Sequence, residues 1–236
     1  MGTLKRRVKT NRFGWCEVIC ENPLTVRFEN TGFATKVANP HNLKIGSIRD
    51  PLAKVIHGFG FYGDYSLRSK FPKEHDLWKS MITRVFTSKD YANCCICDDW
   101  SCLQTFITDI HAMKNWNTKG FQLDKDLRIL GNTEYSPFTC SFVPQAINAA
   151  LTRSSRGKLP SGVSVARNKF HAQITRHGRL EHLGNYDTIE EAREVYLFEK
   201  CATLKMYAKE YKNSLHKEVY ATLRSITPQL LESCGF

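Results

Sequence analysis

Between Phe121 and Leu151 the chain gathers the side chains best suited to chemistry. Asp124-Lys125-Asp126 sets two carboxylates around an amine. Gly131-Asn132-Thr133-Glu134-Tyr135-Ser136-Pro137 follows, in residues that favour positive φ, side-chain-closed turns or a fixed φ. Thr139-Cys140-Ser141-Phe142-Val143 leads into an apolar run ending Ile147-Asn148-Ala149-Ala150-Leu151. Oxygen donors gathered at the two ends of one loop suit a hard divalent cation held against a phosphodiester. The elements that must position them read as strand, long loop, short strand and helix, a ββα unit.

This stretch resembles the core of the HNH (His-Me finger) nucleases, especially the phage-type homing endonucleases. Asp124-Lys125-Asp126 takes the place of that family's acidic-His pair, and Gly131-Asn132 lies in the loop. Thr139-Cys140-Ser141-Phe142-Val143 stands where Asn-Leu-x-aromatic-Val is usual, and Asn148 falls on the helix. The resemblance implies hydrolysis of DNA with Mg²⁺ or another divalent cation. Asp124 and either Asn132 or Thr139 would hold metal or phosphate, Asp126 would be a second ligand, and Asn148 would orient. Two letters depart from the pattern: no His lies near residues 123–126, and Thr139 replaces a metal-binding Asn. Lys125 sits where a His would be, and an amine is protonated near neutral pH unless it is strongly desolvated.

The segment after this core is strongly basic. Arg153, Arg156, Lys158, Arg167, Lys169, Arg176 and Arg179 stand against Glu181 alone. Within it Lys169 to Arg176 alternates, with Phe170, Ala172 and Ile174 on one face and Lys169, His171, Gln173 and Thr175 on the other. His177-Gly178 turns the chain, and Leu180 to Tyr186 returns it. Thr188 and Glu191 form a capping box for a helix whose apolar side reads as Ala192, Val195, Tyr196, Ala202 and Met206. Gly162-Val163, Ala172-Gln173-Ile174, Leu183-Gly184-Asn185-Tyr186-Asp187-Thr188 and Glu190-Glu191-Ala192 through Tyr196 are similar to the Apetala-two type DNA-binding domain. That resemblance implies a three-stranded antiparallel sheet on one helix, reading the major groove of double-stranded DNA. Arg153, Arg156, Lys158, Arg167, Lys169, His171, Gln173, Thr175, Arg176 and Arg179 are the expected contacts.

A formal net charge of +11, from 34 Lys and Arg against 23 Asp and Glu, favours a polyanionic partner, nucleic acid before membrane. No run of about 18 apolar residues is present, so no membrane-spanning helix is expected. The basic start has no apolar stretch behind it, which points to the cytoplasm. Nine cysteines, an odd number, read as reduced thiols. Cys94, Cys95, Cys97 and Cys102 cluster, but without two Cys-x-x-Cys pairs, and packing as small hydrophobes is preferred to zinc.

The expected fold is α+β in four parts. Residues 1–12 form a basic arm, and 13–66 a small SH3-like β domain with further short strands at Ile45–Pro51 and Gly58–Gly63. Residues 67–153 form the ββα core with preceding helices, and 154–226 the sheet-and-helix domain. That last part ends in a helical tail, stopped by Pro228, that packs or pairs with a second copy. Three functions fit: a metal-dependent DNA endonuclease, a DNA-binding protein on the same scaffold without catalysis, and a protein whose basic face meets and redirects an acidic protein partner.

Overall fold

The structure, a computed structural model, describes residues 6–152 and 159–235. It is a mixed α+β chain in two compact units, Met1–Thr108 and Asp109–Phe236. No helix among the described residues is long and apolar enough to cross a membrane.

In the first unit β1 (Arg7–Lys9), β2 (Trp15–Glu21), β3 (Leu24–Phe28) and β4 (Ala34–Lys36) pair antiparallel in that order. Alternation puts Cys16, Val18, Val26 and Phe28 on one face, where they pack with Leu43 of α1 (Pro40–Lys44) and with Ile48. Among the described residues no ladder joins β4 to β1, so the sheet is an open meander. The strands expected at 45–51 and 58–63 are replaced by turns. His57 and Gly58 take φ of +50° and +67°, and only the isolated bridges Ile56↔Gly60 and Phe61↔Cys102 remain there.

Helices α2 (Leu67–Lys70) and α3 (Pro72–Thr87), the two-residue strand β5 (Cys95–Ile96) and α4 (Leu103–Ala112) follow. Trp78, Met81 and Ile82 of α3 are fully buried, and the Trp78 indole N–H donates to the Trp100 carbonyl at 2.7 Å. That bond satisfies the one polar atom of an otherwise apolar ring. The clustered cysteines are half-buried or exposed.

In the second unit β6 (Phe121–Asp124) and β8 (Ser141–Pro144) pair antiparallel with Leu123 opposite Phe142, and β7 (Glu134–Tyr135) lies between them in the chain. Helix α5 (Gln145–Ala150) leaves β8 without a gap. Beyond it β9 (Val163–Ala166), β10 (Lys169–Arg176) and β11 (Arg179–Tyr186) form an antiparallel sheet in the order β11-β10-β9. Both hairpins close through two residues with positive φ, Arg167-Asn168 and His177-Gly178, the geometry whose twist matches paired strands. Ala172 and Ile174 turn to helix α6 (Ile189–Glu210), which opens with the Thr188–Glu191 capping box.

The buried stripe of α6 corrects the expected one. Ala192 and Tyr196 are buried, Val195 is half-buried, and Ala202 and Met206 face water. The core side continues instead through Lys200, Cys201, Thr203, Leu204, Tyr207 and Ala208. Apolarity alone passes over Lys200 and Thr203, although the Lys200 amine is satisfied by the Tyr196 hydroxyl at 2.8 Å. The tail also differs. Pro228 starts α8 (Pro228–Ser233) after α7 (Lys217–Ser225) rather than ending the helical region, because proline at a first helical position has no N–H to lose.

One core joins these parts. Leu127, Val143 and Ile147 from the ββα segment pack in the same buried cluster as Ile174, Leu197, Leu204, Val219, Leu223, Ile226 and Leu231. The anticipated boundary at 153/154 therefore separates no cores. Gly162 shows how tightly this unit closes: at φ +76°, an added Cβ would sit 2.1 Å from the Tyr196 ring. Gly162→Ala is expected to destabilise by at least about 2–3 kcal/mol in denaturant unfolding. Gly178→Ala has the same φ but nothing within 4 Å, and should lose only about 1 kcal/mol. Equal losses would show that the approach to Tyr196 is unimportant.

Candidate functional site

Strand β6 delivers Asp124 into a nearly closed environment, 7% exposed. Its Oδ2 accepts backbone N–H bonds from Asp126 at 3.0 Å and Leu127 at 2.9 Å, an Asx-type turn. Leu127 is fully buried, so this turn is anchored directly in the core. Burial pushes the Asp124 carboxyl up to about 6, and the Asp126 charge adds to that push. The two backbone bonds and Lys125 pull the other way.

Lys125 is also buried. Its amine donates to Asp126 Oδ1 at 2.6 Å and to the Asn132 carbonyl at 3.3 Å, and lies 5.8 Å from the centre of the Tyr135 ring. Asn132 straps the loop: its amide nitrogen donates to the Lys125 carbonyl at 2.9 Å and the Glu134 carbonyl at 2.7 Å. Thr139 is spent in the same way. Its hydroxyl donates to the Glu134 carbonyl at 2.8 Å and accepts from the Ser136 N–H at 3.2 Å. Asn148 donates to Gln122 Oε1 at 2.7 Å, fixing α5 to β6.

The loop thus brings Asp124, Lys125, Asp126, Asn132 and Thr139 into one bonded network, while Asn148 works on its flank. By chemistry alone, the loop oxygens of the kind a hard divalent cation takes are the carboxylates of Asp124 and Asp126 and the Oδ1 of Asn132. The mutual repulsion of the two carboxylates is also what a cation would relieve. Thr139 does not fit, because its hydroxyl is committed to the loop backbone. Among the described residues no group of three His, Cys, Asp or Glu is placed to hold a metal.

The second candidate surface is the sheet face away from α6. Register places His171, Gln173 and Thr175 of β10 on it, opposite Asn185, His182 and Leu180 of β11. The His171 and His182 rings lie 5.4 Å apart, and His171 Nε2 donates to the Ala166 carbonyl at 3.1 Å. Lys169 is on the same face and pairs with Asp187. Arg167 projects from one hairpin tip and Arg179 is exposed beside the other. Arg153, Arg156 and Lys158 lie outside the described residues.

Arg176 is a correction. It falls on the α6 side of β10, where its guanidinium donates to Thr203 at 2.7 Å, to Glu181 at 2.6 Å and to Glu199. It holds helix to sheet instead of facing a ligand. Its parity with Ala172 and Ile174 carried that information.

Other residues join the site without a sequence signal. Arg128 ties the loop to α7 through Glu218 at 2.8 Å and the Pro137 carbonyl at 3.1 Å. Lys114 and Asn115 donate to the carbonyls of Asn213, Ser214 and Leu215. Phe138 stands 80% exposed on the loop, next to the Ser136-Pro137 turn that could have marked it. Comparison with protein-family models, with curated proteins and with solved structures finds no match.

The state of Asp124 can be measured through stability. The folded chain holds its proton up to about pH 6, whereas an unfolded aspartate releases it near pH 4. Folded stability should therefore fall as pH rises through that window and level off above it. Asp124→Asn keeps an oxygen for the two N–H bonds and removes the buried charge. It is expected to flatten the profile and raise stability at pH 7 by on the order of 1–3 kcal/mol. Chemical denaturation at a series of pH values tests this, and an unchanged slope would refute it.

Proposed function

We propose that the chain binds double-stranded DNA and cuts it, as a protein of the phage homing-endonuclease type. The observation that carries the reading is the three-stranded sheet with one face packed on α6 and the other polar and open, in a chain of net charge +11. Side chains standing off such a face, with both donors and acceptors among them, are suited to base edges in the major groove. Gln173, His171, His182 and Asn185 are the base-reading candidates. Arg167, Arg179 and Lys169 are the phosphate contacts, and the basic run at 153–158 adds charge along the backbone. In this reading the N-terminal meander is the small SH3-like domain, and β6, β8 and α5 are the HNH-like ββα core.

For hydrolysis, Asp124, Asp126 and the Oδ1 of Asn132 would hold the divalent cation. Bound there, the ion would supply charge stabilisation to the phosphorane and to the departing oxygen. Lys125 holds the Asp126 carboxylate in place, and Asn132 keeps the two ends of the loop together. Leu127, set in the core, fixes the height of the Asp124 carboxylate at the end of β6.

A second reading, binding without cleavage, is favoured by a specific observation. Lys125 and Thr139 spend their donors within the loop, and no His lies in it. In that case Asp124 is a turn-former only.

Both parts are open to measurement. The logarithm of duplex affinity should fall linearly with log salt, by roughly 0.9 per phosphate neutralised. Gln173→Ala should cost roughly 1–3 kcal/mol of discrimination at the bases it touches, whereas Arg179→Ala should weaken all sequences alike. A plasmid-nicking assay with Mg²⁺, Mn²⁺ or EDTA decides between the two readings. Cleavage that needs metal and disappears in Asp124→Ala, with affinity kept, supports the endonuclease. Salt-dependent binding without cleavage supports the binder, and the absence of both refutes the proposal.

A further inference from the structure

The outward side of α6 carries a stripe that the fold leaves uncovered. Phe198 is 65% exposed and Met206 40% exposed, with Ala202 exposed between them and Val195 half-buried. Spacings of three, four and four residues keep these four on one line along a helix. A buried apolar side is already provided by Tyr196, Leu197, Leu204 and Tyr207, so this second line is not needed to seat the helix.

The charges beside the stripe are segregated. Glu190 and Glu194 lie toward its N-terminal half, where the Glu191 carboxylate is already spent on the helix cap, and Lys205 and Lys209 lie toward its C-terminal half. The other charged groups of α6 have partners inside the unit. Arg193 pairs with Glu232, Glu199 with Arg176, and Glu210 lies 3.4 Å from His177. The amine of Lys212, just past the helix end, lies 5.9 Å from the centre of the Tyr220 ring. An acidic half and a basic half on one helix complement each other only when a second such helix runs antiparallel.

We infer that this stripe is a homodimer interface, in which α6 of one copy packs antiparallel on α6 of a second. Centred between Phe198 and Ala202, the pairing sets the large Phe198 against the partner's small residue at position 202, twice over. It brings Glu194 alongside the partner's basic end at 205 and 209. Met206 then lies near the partner's groove of about 650 Å³ between α6 and α8, whose lining mixes Leu197, Phe198 and Pro228 with Arg193, Glu194 and Glu232. The same patch serves both copies, so the contact closes after two and does not polymerise. The inference stands apart from the DNA reading, because α6 underlies the sheet face opposite to the polar one.

Sedimentation equilibrium of the full chain over a range of micromolar concentrations tests it. The wild type should show a monomer–dimer equilibrium. Phe198→Asp changes an exposed position, and should raise the dissociation constant at least about tenfold with an unaltered circular dichroism spectrum. Glu194→Lys and Lys205→Glu should each weaken the dimer, and the two together should restore it, since reversed charges still match antiparallel. A chain that is monomeric throughout overturns the inference. So does a dimer indifferent to Phe198→Asp, or a charge pair whose double variant is no better than the singles.

Discussion

The second unit depends on one packing constraint, the seating of α6 against two different partners at once. Its buried stripe receives Ile174 from the sheet and, in the same cluster, Leu127, Val143 and Ile147 from the ββα segment. Leu127 follows Asp124 by three residues and donates its N–H to that carboxylate. The position of the acidic loop is therefore set by the core beneath it. Gly162 pressed on Tyr196, and the Arg176 guanidinium bonded to Thr203, Glu181 and Glu199, hold the sheet to the same helix.

The polar loop is organised by the bonding capacity of its own backbone. A loop that turns inward must satisfy its carbonyls and N–H groups, and Asn132, Thr139 and Lys125 do so at Lys125, Glu134, Ser136 and Asn132. Asp124 is the exception in kind. A carboxyl driven up to about 6 by burial weakens the fold at neutral pH, and nothing in the packing requires an acid there. Its cost is the physical reason to look for its use in chemistry and not in stability.

Much of the C-terminal architecture was legible because it obeys short-range rules. Alternation from Lys169 to Thr175 gave the two faces of β10, His177-Gly178 gave a hairpin turn, and Thr188 with Glu191 gave the start of α6. What could not be read was settled by distant partners. Ala202 and Met206 look like core residues, yet the core line runs through Lys200 and Thr203, whose polarity hides their burial. Arg176 looks like a ligand contact until Glu199 and Glu181 are placed around it. In the first unit the glycine-rich passage from Ile45 to Gly63 looks extended, and positive φ at His57 and Gly58 bends it into turns. Of the loop residues, types and neighbourhood were foreseeable, but which oxygen each nitrogen serves was not.

The clasp of Lys114 and Asn115 on the carbonyls of residues 213–215 has a bearing on how the protein is made. It joins positions separated by 99 to 101 residues, and the partners lie beyond α6. A ribosome exposes the strands of the ββα segment long before it exposes those carbonyls. During that interval Leu127, Val143 and Ile147 lack the helix that covers them, and contacts of such long separation form late. The acidic loop is thus translated early and assembled late, so the nascent chain has a stretch of synthesis in which this region needs protection from its neighbours.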